Sequence, residues 1–279
     1  MLSRMPTADR PIVFVSDFGL GNEWVGICHS VLADGSPRSP IVDLTHLIRP
    51  LDVQSGALLL ADSLPYIAGN AVVLGVVDPT VGKEREVAIR TGSGRDFVGP
   101  DNGLLSLAWE GAGGIESAVE ITASQVGRAP RAESFRAPDT LCPAAAHLAA
   151  GGSLDDLGPQ VEPETLSALT LPEPEITDGE IRGEVLDLNR FGNIQINVRE
   201  ADLARAGLER AHSLMIKATS ASAEARRGTT YGDFSADEYG VIVGERGWLM
   251  IVRGNPGSAC EGLGVSPGHL VWITRSLLP

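Results

Sequence analysis

A carboxylate and a guanidinium lie seven residues apart on either side of a turn. The apolar run of residues 71–77 predicts a buried strand, and Asp78 follows that strand directly. A turn containing Pro and Gly then leads to Arg85 and to a second apolar run, residues 87–89. The pair can form a functional site, or a structural ion pair that ties the loop down. The Pro and Gly between the two residues are typical of a loop built for backbone geometry, which favours the site.

Further acids and a histidine follow other predicted strands. Asp17 comes after residues 11–16, and Asp43 and His46 come after the next short apolar run. Because the carboxyl ends of parallel strands meet at one edge of a sheet, these side chains are expected near Asp78. The cluster leaves a divalent-metal hydrolase open as an alternative, although Asp43 and His46 are interpreted as structural. The other four histidines carry no paired spacing and are interpreted as structural or exposed: His29, His147, His212 and His269.

Alternating strands and helices must position these residues. Apolar residues at helical spacing predict one helix over about residues 22–33, with Asn22 as its candidate N-cap, and another over about 53–66. Strand, turn and helix therefore repeat along the chain, as they do in α/β proteins. We predict an N-terminal α/β domain with a central, mainly parallel sheet over residues 1–165.

The character of the sequence changes after this domain. Residues 166–178 mix Pro, Glu and Leu without a clear period, which predicts a linker. From Gly179 onward, short apolar runs alternate with turns rich in Gly and Asn, a pattern typical of antiparallel strands. We predict a small all-β domain, a barrel or a sandwich, over residues 179–279.

Composition argues against several kinds of partner. The chain has 36 acidic and 22 basic residues and a formal net charge of -14, which would repel nucleic acid and anionic lipid. Its three cysteines are far apart, without the spacing of a zinc site or a disulfide framework. The first ten residues lack the apolar segment of a signal peptide, and no later run is long and apolar enough for a bilayer. We therefore expect a soluble, cytoplasmic protein.

Two sequence blocks identify a family. The first is Asp-Pro-x-Val-Gly-x-x-Arg, from Asp78 to Arg85, and the second is Gly-Pro-Asp-Asn-Gly-Leu at residues 99–104. Other matching segments, among them Ser-Asp-Phe-Gly at residues 16–19, follow in the same order over nearly the whole chain. The sequence resembles the S-adenosyl-L-methionine (SAM) hydroxide adenosyltransferases, which are relatives of the bacterial fluorinase and chlorinase.

The resemblance implies an enzyme and a reaction. Water or hydroxide attacks C5′ of SAM in a nucleophilic substitution, which gives adenosine and L-methionine and needs neither a metal nor a cofactor. The assembly implied is a homotrimer, with active sites at subunit interfaces between the first domain of one subunit and the second domain of a neighbour. No nucleic acid or membrane is involved.

The resemblance also assigns roles to individual residues. Asp78 and Arg85 match two members of an Asp-Arg-His triad that orients the attacking water. Asp17 resembles the carboxylate that binds the ribose hydroxyls, and Asn193 the residue that binds adenine. Arg246 resembles the residue that holds the methionine carboxylate.

Several positions depart from the family pattern. Arg136 stands where the triad has His, and an arginine cannot act as a base near neutral pH. Asn189 replaces an Asp at the methionine end, and Glu245 replaces a Ser, so the substrate ammonium is expected to bind Asp187 or Glu245. Phe135 is expected to form a wall of the pocket.

The departures keep two alternatives to SAM hydrolysis open. With Arg136 in place of His, the chain could bind SAM or adenosine with little turnover. A SAM-dependent halogenase is the other alternative, and Asp78 argues against it because a carboxylate repels a halide where the halogenases carry a Tyr.

Overall fold

The computed structural model describes residues 9–80, 83–122, 131, 135–244 and 247–276. The chain divides into two compact units, Met1–Leu169 and Thr170–Pro279. The predicted boundaries at residues 165 and 179 stay predictions. The structure does form one short strand, Glu175–Thr177, inside the stretch predicted to be a linker.

The first unit is built on a six-stranded sheet. Its strands are β1 (Ile12–Ser16), β2 (Ile41–Thr45), β3 (Val72–Val76), β4 (Glu86–Thr91), β5 (Asp96–Pro100) and β6 (Ile115–Glu120). They lie in the order β2-β1-β3-β5-β4-β6. In this order the first four strands, β2, β1, β3 and β5, are parallel to one another. Strand β4 runs antiparallel to both of its neighbours, β5 and β6. The predicted α/β fold with a mainly parallel sheet is confirmed.

Helices cover both faces of this sheet. They are α1 (Trp24–Gly35), α2 (Val53–Ser63), α3 (Ser106–Gly111) and α4 (Leu141–Ala149). Strand β1 shows why two layers are needed, because Ile12 and Phe14 belong to one apolar core while Val13 and Val15 belong to another. Alternate side chains of a strand point to opposite faces, so a strand that is apolar throughout must be buried on both.

The ends of two helices affect the site described below. Glu23, not the predicted Asn22, is the N-cap of α1, and it forms no side-chain capping bond. Asp52 caps α2, since its Oδ1 accepts a hydrogen bond of 2.9 Å from the backbone N–H of Ser55. Within the described ranges, no helix has the length and apolar character needed to cross a bilayer.

The second unit is a closed β-barrel. Its strands are β7 (Glu175–Thr177), β8 (Glu180–Leu188), β9 (Ile194–Arg199), β10 (Ser213–Lys217), β11 (Ser222–Arg227), β12 (Tyr239–Val243), β13 (Trp248–Arg253) and β14 (Leu270–Arg275), and its helices are α5 (Glu200–Arg205) and α6 (Ala259–Leu263). Seven strands close the ring in the order β14-β10-β11-β12-β13-β9-β8, because β8 also pairs with β14. The short β7 extends the sheet beside β8. The all-β prediction is confirmed, and closure removes the exposed edges that an open sheet would have.

Strand β11 was not predicted, and its composition explains why. Its sequence, Ser-Ala-Glu-Ala-Arg-Arg, is rich in residues that favour helices. Only Ala225 is fully buried in it. Pairing with β10 and β12 holds the segment extended, so tertiary contacts override local preference.

Candidate active site

A cavity of about 660 Å³ lies in the first unit, at the carboxyl ends of β1 and β3. Strand β1 lies between β2 and β3 in the sheet. The chain passes from β1 to β2 on one side of it and then to β3 on the other side, so the strand order reverses at this point. Ligands of open α/β sheets collect at such switch points. The charged residues that line the cavity are Asp17, Asp78, Glu86 and Arg136, and its aromatic residues are Phe18, Trp24 and Phe135.

Asp78 follows β3 and is held by its own turn. Its Oδ1 accepts a hydrogen bond of 2.8 Å from the backbone N–H of Thr80 and one of 3.3 Å from the Thr80 hydroxyl. Thr80 in turn donates to Glu84 at 3.1 Å. Within the described residues Oδ2 of Asp78 has no hydrogen-bond partner, which leaves one carboxylate oxygen to face a ligand or a water molecule.

Asp17 follows β1 and fixes a strained residue on the opposite rim. Its Oδ2 accepts a hydrogen bond of 2.8 Å from the backbone N–H of Leu51. Leu51 has a φ of 65°, a conformation that leucine rarely adopts, and 58% of its surface is exposed. Such strain persists only where surrounding contacts hold it, and it is concentrated at functional sites. The predicted ribose-binding carboxylate therefore also shapes the cavity mouth.

Arg136 is paired with a carboxylate inside the cavity. Its Nε and Nη2 donate to Oε1 and Oε2 of Glu86 at 3.3 and 3.4 Å. The Glu86 side chain is 9% exposed and that of Arg136 is 26% exposed. The pair is bidentate but long, since charge-assisted bonds usually span about 2.7–2.9 Å. Glu86, the first residue of β4, was missed in the sequence because it reads there as an ordinary polar residue before an apolar run.

Three aromatic rings form one wall of the cavity. The ring centroids of Phe18 and Phe135 lie 5.6 Å apart, those of Phe18 and Trp24 6.0 Å, and those of Trp24 and Phe135 6.1 Å. These separations are typical of edge-to-face aromatic clusters, which are rigid and apolar. Phe135 and Trp24 both line this cavity, and the role of Phe135 toward a substrate stays a prediction.

Arg85 lies elsewhere. Its Nε donates to Oδ2 of Asp101 at 2.6 Å, and its Nη2 donates to the carbonyl of Thr165 at 2.6 Å and to the Thr165 hydroxyl at 3.1 Å. Among the described residues, those that line the cavity do not include Arg85. Its catalytic role stays a prediction from the resemblance.

The remaining predicted residues belong to the second unit. Asn189 organises a turn, because its Oδ1 accepts from the backbone N–H groups of Phe191 and Asn193 at 3.0 and 3.1 Å. Asn193 is 5% exposed, and its side-chain amide forms no hydrogen bond within the part of the chain that is described. Asp187 lies in β8 and is partly buried. The other two predictions for this unit, Glu245 and Arg246, lie outside the described residues.

The charge of the cavity indicates the kind of ligand. Three carboxylates and one guanidinium line it, so a cation is favoured over an anion. The aromatic wall suits a flat ring or a soft cation. The fold and site define an α/β protein with a negatively charged, aromatic-walled cavity, suited to a small cation, at a topological switch point.

Comparisons with known proteins agree with this class. The family model described as SAM hydroxide adenosyltransferase N-terminal domain matches residues 12–158, and the model of the C-terminal domain matches residues 183–272. The chain belongs to the SAM hydroxide adenosyltransferase family, a family of enzymes, and the resemblance drawn from the sequence is confirmed.

Individual relatives show where in the family the chain lies. An (R)-S-adenosyl-L-methionine hydrolase from Salinispora tropica is 40% identical over 266 residues, which cover 94% of this chain and 97% of that protein. A fluorinase from an Actinoplanes species is 29% identical over 73% of this chain and 77% of its own. A crystal structure titled as an uncharacterized conserved protein from Thermotoga maritima aligns with a TM-score of 0.85 at 26% identity, covering 95% of this chain and 100% of that one. The chain is thus more similar to the hydrolase than to the fluorinase.

Proposed function

We propose that this protein hydrolyses SAM to adenosine and L-methionine. The observation that carries the proposal is the negatively charged, aromatic-walled cavity that brings Asp17 and Asp78 together at the switch point of a SAM hydroxide adenosyltransferase fold. Identity of 40% to a named hydrolase over nearly the full length supports the same conclusion.

The reaction requires the protein mainly to position the attacking water and to exclude bulk solvent. The water oxygen forms a bond to C5′ while the C5′–S bond breaks, and the bonding electron pair stays on sulfur. The sulfonium charge disappears as methionine leaves as a neutral thioether, so no acid is needed. One proton of the attacking water is lost to Asp78 or to bulk water. Alignment of the water with the C–S bond is therefore the main task of the site.

In this proposal each cavity residue has a separate role in the reaction. Asp78 orients the attacking water through its unpartnered Oδ2, and Asp17 binds the ribose hydroxyls beside the strained Leu51. The wall of Phe18, Trp24 and Phe135 excludes water from the reacting centre. Arg136, held by Glu86, lies at the cavity in place of the family His and acts as a fixed positive charge.

Residues of the second unit complete substrate recognition in this proposal. Asn193 binds adenine, and its side-chain amide, which forms no hydrogen bond within the described residues, is available for that role. Asp187, Asn189, Glu245 and Arg246 bind the amino and carboxylate groups of the methionine end, as the resemblance implies.

We further propose that the protein works as a homotrimer and uses no cofactor besides its substrate. Large exposed apolar residues support the assembly, because Leu51 and Trp24 border the cavity and Phe191, which is 78% exposed, lies in the turn that carries Asn193. Light scattering should give three times the mass of 29.3 kDa. A monomer at micromolar concentration would contradict the proposed assembly.

The reaction itself can be tested directly. Purified protein is incubated with SAM in water enriched in ¹⁸O, and adenosine and methionine are separated by chromatography. We expect equal amounts of both products, with ¹⁸O in the 5′-hydroxyl of adenosine and none in methionine. Activity should survive EDTA. The absence of adenosine with the wild type would overturn the proposal.

One specific observation favours a second candidate function. The guanidinium of Arg136 is already paired with Glu86, so the site could bind SAM and turn it over slowly. Calorimetry distinguishes the two candidates, because saturable binding of SAM without adenosine formation indicates the binding protein. Incubation with chloride tests the halogenase, for which 5′-chloro-5′-deoxyadenosine would be the product; the carboxylate of Asp78 predicts none.

A further inference from the structure

Two histidines and an aspartate converge beside the carboxyl end of β2. They are His29 of α1, Asp43 of β2 and His46, which follows β2. Each offers one ligand atom, and these atoms all lie within 4.8 Å of one another. Asp43 Oδ1 is 2.8 Å from Nε2 of His29 and 3.1 Å from Nε2 of His46. The strand-end pattern already indicated Asp43 and His46, whereas His29 was not expected beside them because it belongs to a different element.

His46 carries a buried nitrogen that its surroundings do not satisfy. The residue is 3% exposed, and its Nδ1 hydrogen-bonds to the Ser16 hydroxyl at 2.8 Å. Its Nε2 has no standard hydrogen bond among the described residues, and its nearest charged neighbour is Asp43 Oδ1, at an ion-pair distance of 3.1 Å. A buried nitrogen without a partner is costly and requires an explanation. Here the nitrogen points into the cluster of potential ligands.

The local fold keeps the His46 imidazole pointing into the cluster. The register of β1 with β2 shifts between Phe14 and Val15, opposite Asp43 and Thr45, and such bulges redirect side chains. The Phe14 ring packs against His46 with centroids 4.6 Å apart and lies 6.2 Å from the ring of His29. An apolar floor thus lies beneath the cluster.

The outer side of the cluster is open. The side chain of His29 is 35% exposed and that of Asp43 is 39% exposed. An ion can therefore enter from solvent, and both side chains have room to adjust. His46 is the fixed member, because its other nitrogen is occupied by Ser16, the arrangement that usually orients a metal-bound histidine.

We propose that His29 Nε2, Asp43 Oδ1 and His46 Nε2 bind a divalent transition-metal ion of the zinc type. Two imidazole nitrogens and one carboxylate oxygen suit Zn²⁺ or Co²⁺, whereas Mg²⁺ prefers oxygen ligands alone. Zinc bonds of about 2.0–2.2 Å in a tetrahedron separate the ligand atoms by roughly 3.3 Å. The observed 2.8 and 3.1 Å need a few tenths of an ångström of widening, and the two imidazole nitrogens, which lie within 4.8 Å of each other, must reach the same spacing. Water fills the fourth position.

The ion would stabilise the turn next to the cavity. The backbone carbonyl of His46 accepts a hydrogen bond of 2.7 Å from the N–H of Gly19, whose φ of 71° closes the turn after Asp17. Ser16, the second partner of His46, immediately precedes Asp17. The ion ties α1 to β2 and, through His46, to this turn, without touching the reacting atoms.

Metal titration tests the site separately from catalysis. Full-length protein is treated with chelator, dialysed and titrated with ZnCl₂ by calorimetry, and with CoCl₂ by visible absorption. We expect one equivalent of Zn²⁺ per chain and the d–d bands of tetrahedral Co²⁺, with no competition from millimolar Mg²⁺. His29→Ala should weaken binding about tenfold or more, since perturbing even the support of a ligand costs 10–100-fold. Zinc should also raise the Tm of the wild type more than that of this variant.

The chain offers a matched control. His147 and Asp156 form a second exposed pair, with Nε2 and Oδ2 3.1 Å apart, and among the described residues no third ligand joins them. His147→Ala should leave zinc affinity unchanged. His46 is left intact because its burial makes folding defects expected, and Asp43→Asn serves as the second variant. The absence of saturable zinc binding, or a Kd that stays within twofold in both His29→Ala and Asp43→Asn, would overturn the proposal.

Discussion

Two arginine–carboxylate pairs at the same end of one sheet differ in the length of their hydrogen bonds and in whether their arginine lines the cavity. Arg85 donates to Asp101 at 2.6 Å and to the carbonyl of Thr165 at 2.6 Å. Arg136 reaches Glu86 only at 3.3 and 3.4 Å, and it lines the cavity. The resemblance assigns Arg85 to the triad and places Arg136 at the position of the triad His, whereas in the structure the two arginines pair with different carboxylates.

The difference lies in the length of the hydrogen bonds within each pair. The carboxylate of Asp101 is 4% exposed, and its second oxygen accepts a hydrogen bond of 2.7 Å from the backbone N–H of Ser167. Short bonds to both oxygens make this pair costly to rearrange. The Glu86–Arg136 bonds are longer, and Arg136 lines the cavity whereas Arg85 does not. Four substitutions test this contrast, from the largest expected effect to the smallest.

Asp78→Asn should have the largest effect. Asn keeps an Oδ1 acceptor for Thr80 but loses the charge that orients and deprotonates water, so adenosine formation should fall about 100-fold or more. Steady-state kinetics measures the loss, and an unchanged Tm serves as the folding control. Near-normal activity would instead assign water positioning to one of the arginines.

Arg136→His should preserve or raise the rate of adenosine formation. The substitution introduces the residue that the resemblance implies for this position, and it supplies a base that arginine cannot provide. Arg136→Met, which has neither charge nor base, is the matched control and should lower the rate about tenfold. Loss of activity in the His variant would show that the Glu86–Arg136 pair itself belongs to a diverged site.

Arg85→Met should lower the free energy of unfolding by about 2 kcal/mol, because the buried Asp101 loses a charged partner. Urea denaturation measures the change. Activity is then assayed at a temperature where the variant is fully folded. A large fall in kcat under those conditions would confirm the catalytic role implied by the resemblance, and an unchanged kcat would leave Arg85 as a structural anchor.

Thr165→Val should have the smallest effect. It removes the hydroxyl that accepts from Arg85 at 3.1 Å but keeps the carbonyl that accepts at 2.6 Å. Because Thr165 is exposed, we expect a loss of about 0.5 kcal/mol in unfolding free energy and no change in kcat. A loss as large as that of Arg85→Met would show that the Thr165 hydroxyl, which bonds both Arg85 and the Glu162 carbonyl, contributes as much to stability as the Arg85–Asp101 pair.

The sequence by itself determined the fold class, the family and the strand-end acids. Continuous apolar runs such as Val72–Val76 require burial on both faces, and Asp17 and Asp78 follow such runs directly. These features depend on neighbours in the chain, so local patterns reveal them. The aromatic wall was partly visible for the same reason, since Phe135 immediately precedes Arg136.

Only the tertiary structure decided which charged groups meet. Arg85 and the Thr165 carbonyl are 80 residues apart in sequence, and Arg136 and Glu86 are 50 residues apart. The cluster of His29, Asp43 and His46 likewise joins a helix to the end of a neighbouring strand. The physical reason is that a charged side chain takes the best-aligned partner within a few ångströms, and that choice is made by packing between distant segments. The spacing of these residues along the chain does not indicate which of them become partners.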